Sequence, residues 1–135
     1  MMSGMSVPPL VDEATRRSQV VWLALEDDPA RPVWQVWHDG ALWTVCGGAE
    51  QPLPAAPTAQ RAVVAVRSKA TRNDLLVTWV GAVSRVEPGS PVWEEVVPLL
   101  HEARLNAPDG EAQPQRWAAE SLVLKVTPTG ELLTC

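Results

Sequence analysis

Residues 61–102 read RAVVAVRSKATRNDLLVTWVGAVSRVEPGSPVWEEVVPLLHE, and this stretch decides the fold. It predicts a valine-rich strand at Ala62–Val66, a cationic turn, and a second long strand at Leu75–Val86. A proline-glycine turn then leads into a helix, because Ser90 is a favourable cap and Pro91 suits the first helical position. This order of elements indicates a mostly antiparallel sheet carrying one main helix.

The turn between the two strands is basic, although the protein is acidic overall. The chain has 11 Lys+Arg against 16 Asp+Glu, and Arg67, Lys69 and Arg72 fall within six residues. Such a cluster indicates either a small anionic ligand held at a strand end or a solvated hairpin tip. Because Arg67 and Lys69 flank Ser68, both cations are expected on one face. The acidic balance argues against nucleic acid as the main partner.

Composition limits the class of protein further. A length of 135 residues fits one domain, predicted at residues 10–135 behind a flexible tail at residues 1–9. Neither a run of 18 apolar residues nor a secretion signal is present, so we expect a cytoplasmic protein. Cys46 and Cys135 lack metal-ligand spacing, so free thiols and no metal are expected. With two His, neither beside a plausible nucleophile, hydrolytic catalysis has no support.

The first half of the chain predicts a helix, a strand and a hairpin. Leu10–Gln19 fits a short helix, and the dense apolar run Val20–Glu26 fits a buried strand. Val33–His38 and Ala41–Cys46 flank Asp39-Gly40, a strong signal for a two-residue hairpin loop.

That loop fixes which hairpin residues face each other. The opposed pairs would be His38/Ala41, Trp37/Leu42, Val36/Trp43, Gln35/Thr44 and Trp34/Val45. One face then carries four apolar residues and is expected to be core. The other face is a mixed surface that could meet solvent, a dimer partner or a ligand; it carries Gln35, Trp37, Leu42 and Thr44.

The second half completes the predicted fold. Gly81 inside the long strand indicates a bulge or a close backbone approach, and Pro98 should kink or split the main helix. Asn106–Gln115 is expected to be a loop, and Trp117–Val126 a final strand. The total is about six strands, with the main helix between the last two, which suggests a closed sheet.

Five segments carry a resemblance to a known family: Gly47–Pro54, Val66–Lys69, Trp79–Val83, Pro88–Glu94 and Arg104–Ala107. Their order resembles the split-barrel flavin-binding proteins of the pyridoxamine 5'-phosphate oxidase-like superfamily, most closely the small members found in high-GC actinobacteria. The resemblance implies a six-stranded antiparallel split β-barrel and a homodimer with cofactor grooves between the subunits. It also implies FMN or a deazaflavin as cofactor and an oxidoreductase of unknown substrate, in which the flavin carries the hydride chemistry.

The resemblance also implies site residues. Arg67, Ser68 and Lys69 would anchor a phosphate, and Trp37 or Trp117 would line the flavin ring or a dimer contact. The groove would be shaped by three further residues: Gly47, Gly48 and Gln51. The two glycines could form a backbone nest for an anion or simply end the hairpin.

One departure from the family keeps alternatives open. Members that hold FMN commonly place Lys or Arg after the third strand, whereas residues 47–60 contain neither. Either the Arg67 turn grips the phosphate, or the flavin has been lost. The alternatives are a non-enzymatic split-barrel protein that binds haem or another small ligand, and a cofactor-free dimerisation module that uses the face around Trp37 and Leu42.

Overall fold

The structure is a computed structural model that describes residues 9–48, 50–67, 75–103 and 113–134. Within these ranges the strands form one sheet in the order β2-β1-β5-β6-β7-β4-β3, with antiparallel neighbours throughout. The elements in chain order are α1 (Pro9–Arg16), β1 (Val20–Leu25), β2 (Arg31–Trp34), β3 (Val36–His38), β4 (Ala41–Cys46), β5 (Arg61–Arg67), β6 (Leu75–Val86), α2 (Pro91–Ala103), α3 (Gln113–Glu120) and β7 (Leu122–Thr134).

The sheet curls into a split barrel, as the sequence predicts, although with seven described strands instead of six. β2 and β3 lie at opposite edges of the sheet, yet Gln35 alone separates them in the chain. The two edges must therefore meet near Gln35, and full closure removes exposed strand edges. The predicted strand Val33–His38 is wrong as one unit, because the chain changes partner there. Trp34 pairs with Val20 on β1, whereas Val36 pairs with Trp43 on β4.

The side-chain amide of Gln51 fills the resulting gap. Its Oε1 accepts a hydrogen bond from the Trp34 backbone N–H at 2.7 Å, and its Nε2 donates to the Val45 carbonyl at 2.9 Å. The same Nε2 donates to the Thr44 hydroxyl at 2.9 Å. The predicted Trp34/Val45 pair is thus replaced by an inserted amide, which satisfies the backbone groups that a strand peptide would otherwise pair.

The interior of the barrel holds the hairpin face that the sequence assigns to a mixed surface. That assignment is wrong, since Leu42 and Thr44 are fully buried and Gln35 is 6% exposed. The interior is closed beside Trp79 by α1 and, further along β6, by residues 53–59, which bury Leu53, Ala56 and Ala59. The described interior is therefore filled by protein side chains.

The other face of the hairpin is core, as predicted. Trp43 and Val45 pack with α2 and α3 in a second apolar cluster. The Ser90 hydroxyl accepts the Trp93 N–H at 3.1 Å, which confirms the predicted cap. α2 then continues through Pro98 without a break to Ala103, so it is not split.

The end of the chain differs from the prediction. Trp117 lies on α3, and β7 begins only at Leu122, because Gln, Arg and Ala around Trp117 are better helix formers than strand formers. Most of the predicted loop Asn106–Gln115 lies outside the described residues. β7 also runs through Pro128, where its register with β6 shifts.

Gly81 lies at that irregularity, and both predicted causes hold. A Cβ at Gly81 would stand 2.4 Å from a methyl carbon of Val126 and 3.3 Å from the Thr127 carbonyl oxygen, so a larger residue would force its neighbours to shift. In the described part of the chain, no helix is long and apolar enough to cross a membrane.

Candidate functional site

The outer sides of β1 and β5 form an exposed apolar surface, which we call the outer β1–β5 face. On β1, Val20 is 48% and Trp22 39% exposed, while alternate residues point into the barrel. Trp22 pairs with Ala65 and Ala24 pairs with Val63, so the apolar residues of the two strands adjoin. The predicted buried strand Val20–Glu26 is therefore buried on one side only. An exposed Trp in such a surface is typical of a contact site for a ligand or a partner.

Arg67 ends this outer face. It lies two residues beyond Ala65 on the same side of β5 and is exposed. Ser68 and Lys69, the other two predicted phosphate anchors, lie outside the described residues. The structure therefore places one of the three predicted anchors, Arg67, beside the surface that carries Trp22.

The Gly47–Gln51 segment lies at the other end of the barrel. Arg67 is opposite Leu75 at the start of β6, whereas the last β6 residue, Val86, pairs with Val123. β7 next to Val123 pairs Leu122 with Cys46, which directly precedes Gly47. At about 3.3 Å per residue, β6 alone separates the two ends by about 35 Å along the strand. Within one chain, Arg67 and the predicted groove residues therefore do not meet.

Chain contacts occupy the polar atoms at Gly47. Its N–H donates to the Gln51 carbonyl at 2.9 Å, and its carbonyl accepts from the Ser121 hydroxyl at 3.0 Å. Gly47 and Gly48 have φ of +82° and +61°, and a Cβ on Gly48 would stand 3.1 Å from Glu120. Glycine is thus required here for a turn that packs against α3.

Glu50 connects this turn to the helical layer. Its side chain is 1% exposed, and Oε2 accepts from Arg116 Nη2 at 3.2 Å and from Trp117 Nε1 at 3.1 Å. The carboxylate is therefore directed at an arginine inside the protein. Trp117 is fully buried and its ring lies 6.2 Å from that of Trp34. Gly47, Gly48, Gln51 and Trp117 do come together, as parts of the barrel-to-helix packing.

Trp37 does not belong to this packing and instead contacts α1 and the barrel interior. Its Nε1 donates to Asp12 Oδ1 at 2.8 Å, and its ring meets Trp79 edge-on at 6.1 Å. The Trp79 Nε1 in turn donates to the Thr15 hydroxyl at 3.1 Å. Trp37 therefore holds α1 against the end of the barrel that α1 closes.

Two of the grooves in the described surface adjoin residues discussed above. One, of about 640 Å³, lies between the Gln35 seam and the end of α2. The other, of about 680 Å³, lies beside Gly47 and is lined largely by prolines, Trp93 and α3. The charged residue among its described lining is Glu120, with no Lys or Arg. A phosphate therefore fits the Arg67 end of the molecule better than the Gly47 groove.

The remaining chemistry-bearing side chains are dispersed. In the ranges that the structure covers, no three His, Cys, Asp or Glu residues gather into a metal-binding group. His38 Nε2 lies 2.6 Å from Glu95 Oε2 at the surface. Burial raises the pKa of the Cys46 thiol to about 11, so this thiol is held in its unreactive form.

Comparison with known proteins supports the fold. No family model and no curated protein matches the chain. Among solved structures, the haem-storage protein HutZ of Vibrio cholerae matches with a TM-score of 0.65 and 14% identity, over 96% of this chain and 95% of that one. A pyridoxamine 5'-phosphate oxidase-like protein of Listeria innocua matches at 0.59 and 19% identity, over 91% and 94%. A general stress FMN/FAD-binding protein of Xanthomonas citri matches at 0.54 and 16% identity, over 87% and 80%.

These matches and the geometry define the class. The chain has the split-barrel fold of the pyridoxamine 5'-phosphate oxidase-like proteins. Identities this low show the fold alone. Proteins with this fold include flavin binders and a haem-storage protein, so the ligand of this chain must be argued from its own residues.

Proposed function

We propose that the protein is a homodimer that binds a flavin-type cofactor, FMN or a deazaflavin, beside the outer β1–β5 face and acts as an oxidoreductase. The observation that carries this proposal is the exposed Trp22 on the same side of the sheet as Arg67. A flat aromatic cofactor with a phosphate needs a flat apolar wall next to a cation, and this face offers both.

The residues of this chain have separable roles in the proposal. Arg67, with Ser68 and Lys69 beyond it, holds the phosphate by charge-assisted hydrogen bonds. Trp22, Val63 and Ala65 provide the apolar wall and exclude water. A bound flavin supplies the hydride chemistry itself, so the chain needs no acid–base pair of its own.

The same surface supports the proposed homodimer. Isolated exposed apolar side chains are common, but a contiguous apolar face with a half-exposed Trp indicates a contact. In a two-fold dimer the same face meets its copy, and the Arg67 end of one subunit can then lie beside the Gly47 groove of the other. That arrangement would unite predicted site residues that a single chain keeps apart.

A fluorescence titration tests the cofactor. FMN and a deazaflavin are added separately to purified protein, and quenching at micromolar concentrations supports the proposal. Arg67→Ala should weaken FMN binding by about tenfold to a hundredfold, because one charge-assisted contact is lost. Lys125→Ala, on β7 and away from the outer β1–β5 face, also removes one positive charge and should change the affinity little. Equal effects of both variants would remove Arg67 from the site.

The same preparations separate the alternatives. A Soret band on adding haemin, without flavin quenching, would favour a haem-binding protein. A colourless protein that binds none of the three ligands and is dimeric by light scattering would favour a dimerisation module. Trp22→Ala should shift the protein towards monomer, and an unchanged mass would place the dimer contact elsewhere. A cytoplasmic location is part of the proposal, testable by cell fractionation.

A further inference from the structure

The groove near the end of α2 lies at the border of the outer β1–β5 face. Its walls come from β1, from the strands on both sides of the seam and from the last turn of α2; they include Val20, Trp34, Val36, Leu99, Glu102 and Ala103. Val20 belongs to both surfaces, because it is 48% exposed on the outer face and also lines the groove. The groove and the outer β1–β5 face are therefore one continuous surface.

Trp22 projects from this surface beside the groove. It follows Val20 by two residues on the same side of β1, a separation of about 7 Å in a strand. Its side chain is 39% exposed and is not part of the groove lining, so Trp22 does not fill the groove of its own chain. Within the described ranges its indole N–H has no hydrogen-bond partner, in contrast to the N–H groups of Trp37, Trp43, Trp79 and Trp117.

The groove offers the contacts that an exposed indole lacks. Its volume of about 640 Å³ lies within the range of about 300–1,000 Å³ of ligand pockets, so an indole ring has room to enter. Val36 and Leu99 provide apolar contact, and the half-buried Trp34 provides an aromatic one. Glu102 places a carboxylate at the rim, and carboxylates already accept the N–H of two tryptophans inside this chain.

We propose that Trp22 of each subunit inserts into this groove of a second copy of the chain, about a two-fold axis that passes over Val20. Trp22 and the groove adjoin Val20 on one face, so a single rotation forms both contacts at once, as in isologous dimers. A Trp buried in a partner's pocket is a common interface hot spot. The inference rests on the proposed homodimer and names its contact. Because a dimer could use the outer face without the groove, the two proposals can fail separately.

The mass in solution, measured by light scattering over a range of concentrations, tests the contact. Leu99→Trp should fill the groove and shift the protein towards monomer, as Trp22→Ala does. Each change removes two contacts per dimer, so the dissociation constant should rise about a thousandfold if each contact contributes roughly thirtyfold. Val92→Trp is the matched control, since Val92 is exposed on α2 outside the groove and its variant should remain dimeric. Far-UV circular dichroism and urea unfolding confirm that each variant is folded.

Mixing the two disrupted variants gives the sharper test. Trp22→Ala keeps an open groove, and Leu99→Trp keeps the exposed Trp22, so a heterodimer regains one of the two contacts. The mixture should associate about thirtyfold more tightly than either variant alone, measured by sedimentation velocity. A dimeric Leu99→Trp, or a mixture no tighter than its components, would overturn the groove contact and leave a homodimer through the outer face. A monomeric unchanged protein would overturn both proposals.

Discussion

Gln51→Ala is expected to destabilise the barrel strongly, because Gln51 closes its seam. The change removes hydrogen bonds to the Trp34 N–H, the Val45 carbonyl and the Thr44 hydroxyl, at 2.7, 2.9 and 2.9 Å. A net contribution of about 1 kcal/mol for each bond gives a loss of about 3 kcal/mol. That is a large part of the roughly 5–15 kcal/mol that typically separates folded from unfolded domains.

Equilibrium unfolding in urea measures this loss, with Trp fluorescence and far-UV circular dichroism as independent probes. Gln60→Ala is the matched control, since Gln60 is exposed and the same atoms are removed. Its unfolding free energy should change by less than about 0.5 kcal/mol. The role of Gln51 in the seam is refuted if Gln51→Ala also stays within that limit. If the variant instead loses FMN affinity at unchanged stability, Gln51 belongs to a ligand groove.

Gln51→Glu sharpens the test. It keeps an acceptor for the Trp34 N–H but turns a carboxylate towards the Val45 carbonyl, which is repulsive. Burial and that carbonyl should raise the pKa of the introduced carboxyl in the folded state. A raised pKa means that stability is present at low pH and lost as pH rises from the unfolded value, near about 4.3, through the folded one. The variant should therefore be relatively more stable at pH 4 than at pH 7, and a pH-independent loss would contradict this.

Three further predictions concern Gly81, Glu26 and Cys46. Gly81→Ala should lower the free energy of unfolding, measured in urea, by about 1–3 kcal/mol through overpacking. Gly89 has open space around it and a φ of +82°, so Gly89→Ala should lower it by about 1 kcal/mol, from backbone strain alone. The backbone N–H groups of Gln60 and then Arg61 lower the pKa of Glu26. The stability it contributes is therefore present above its unfolded value of 4.5 and lost as pH falls through the lower folded one. The urea midpoint of Glu26→Gln should therefore depend less on pH than that of the unchanged protein between about pH 5 and pH 3. The Cys46 thiol has a pKa of about 11. In a Cys135→Ser background it should therefore react with a thiol reagent at pH 8 roughly two-hundredfold more slowly than a free thiol, because a smaller fraction of it is thiolate. Rapid labelling would contradict its burial.

The parts of the fold that local chemistry controls could be predicted from sequence. The Asp39-Gly40 loop predicts the correct register for its three nearest pairs, because turn geometry dictates pairing next to the loop. Ser90 and Pro91 predict the start of α2, because a capping hydroxyl and a proline both favour the first turn of a helix. The bulge at Gly81 was predictable because glycine weakens a strand, so it is found there mainly where a bulge or a close backbone contact requires it.

Features that depend on tertiary closure could not be predicted. Nothing local in Trp34-Gln35-Val36 indicates that the strand changes partner, because the change is imposed by the meeting of two distant sheet edges. The exposure of Trp22 could not be predicted either. In VVWLAL every residue is apolar, so the period-2 signal that separates the two faces of a strand is missing.

The same limit applies to the tryptophans of the proposed site, whereas Arg67 remains the predicted phosphate anchor. Trp37 and Trp117 were predicted to line the ligand, yet their N–H groups pair with Asp12 and Glu50 inside the chain. Trp22 lies in an apolar run without a polar neighbour, and its side chain remains partly exposed. A Trp that has a carboxylate partner within its own chain is most simply explained by packing. A Trp on an apolar outer face beside a cation has more to gain from an external partner, so the search for the ligand should begin at Trp22 and Arg67.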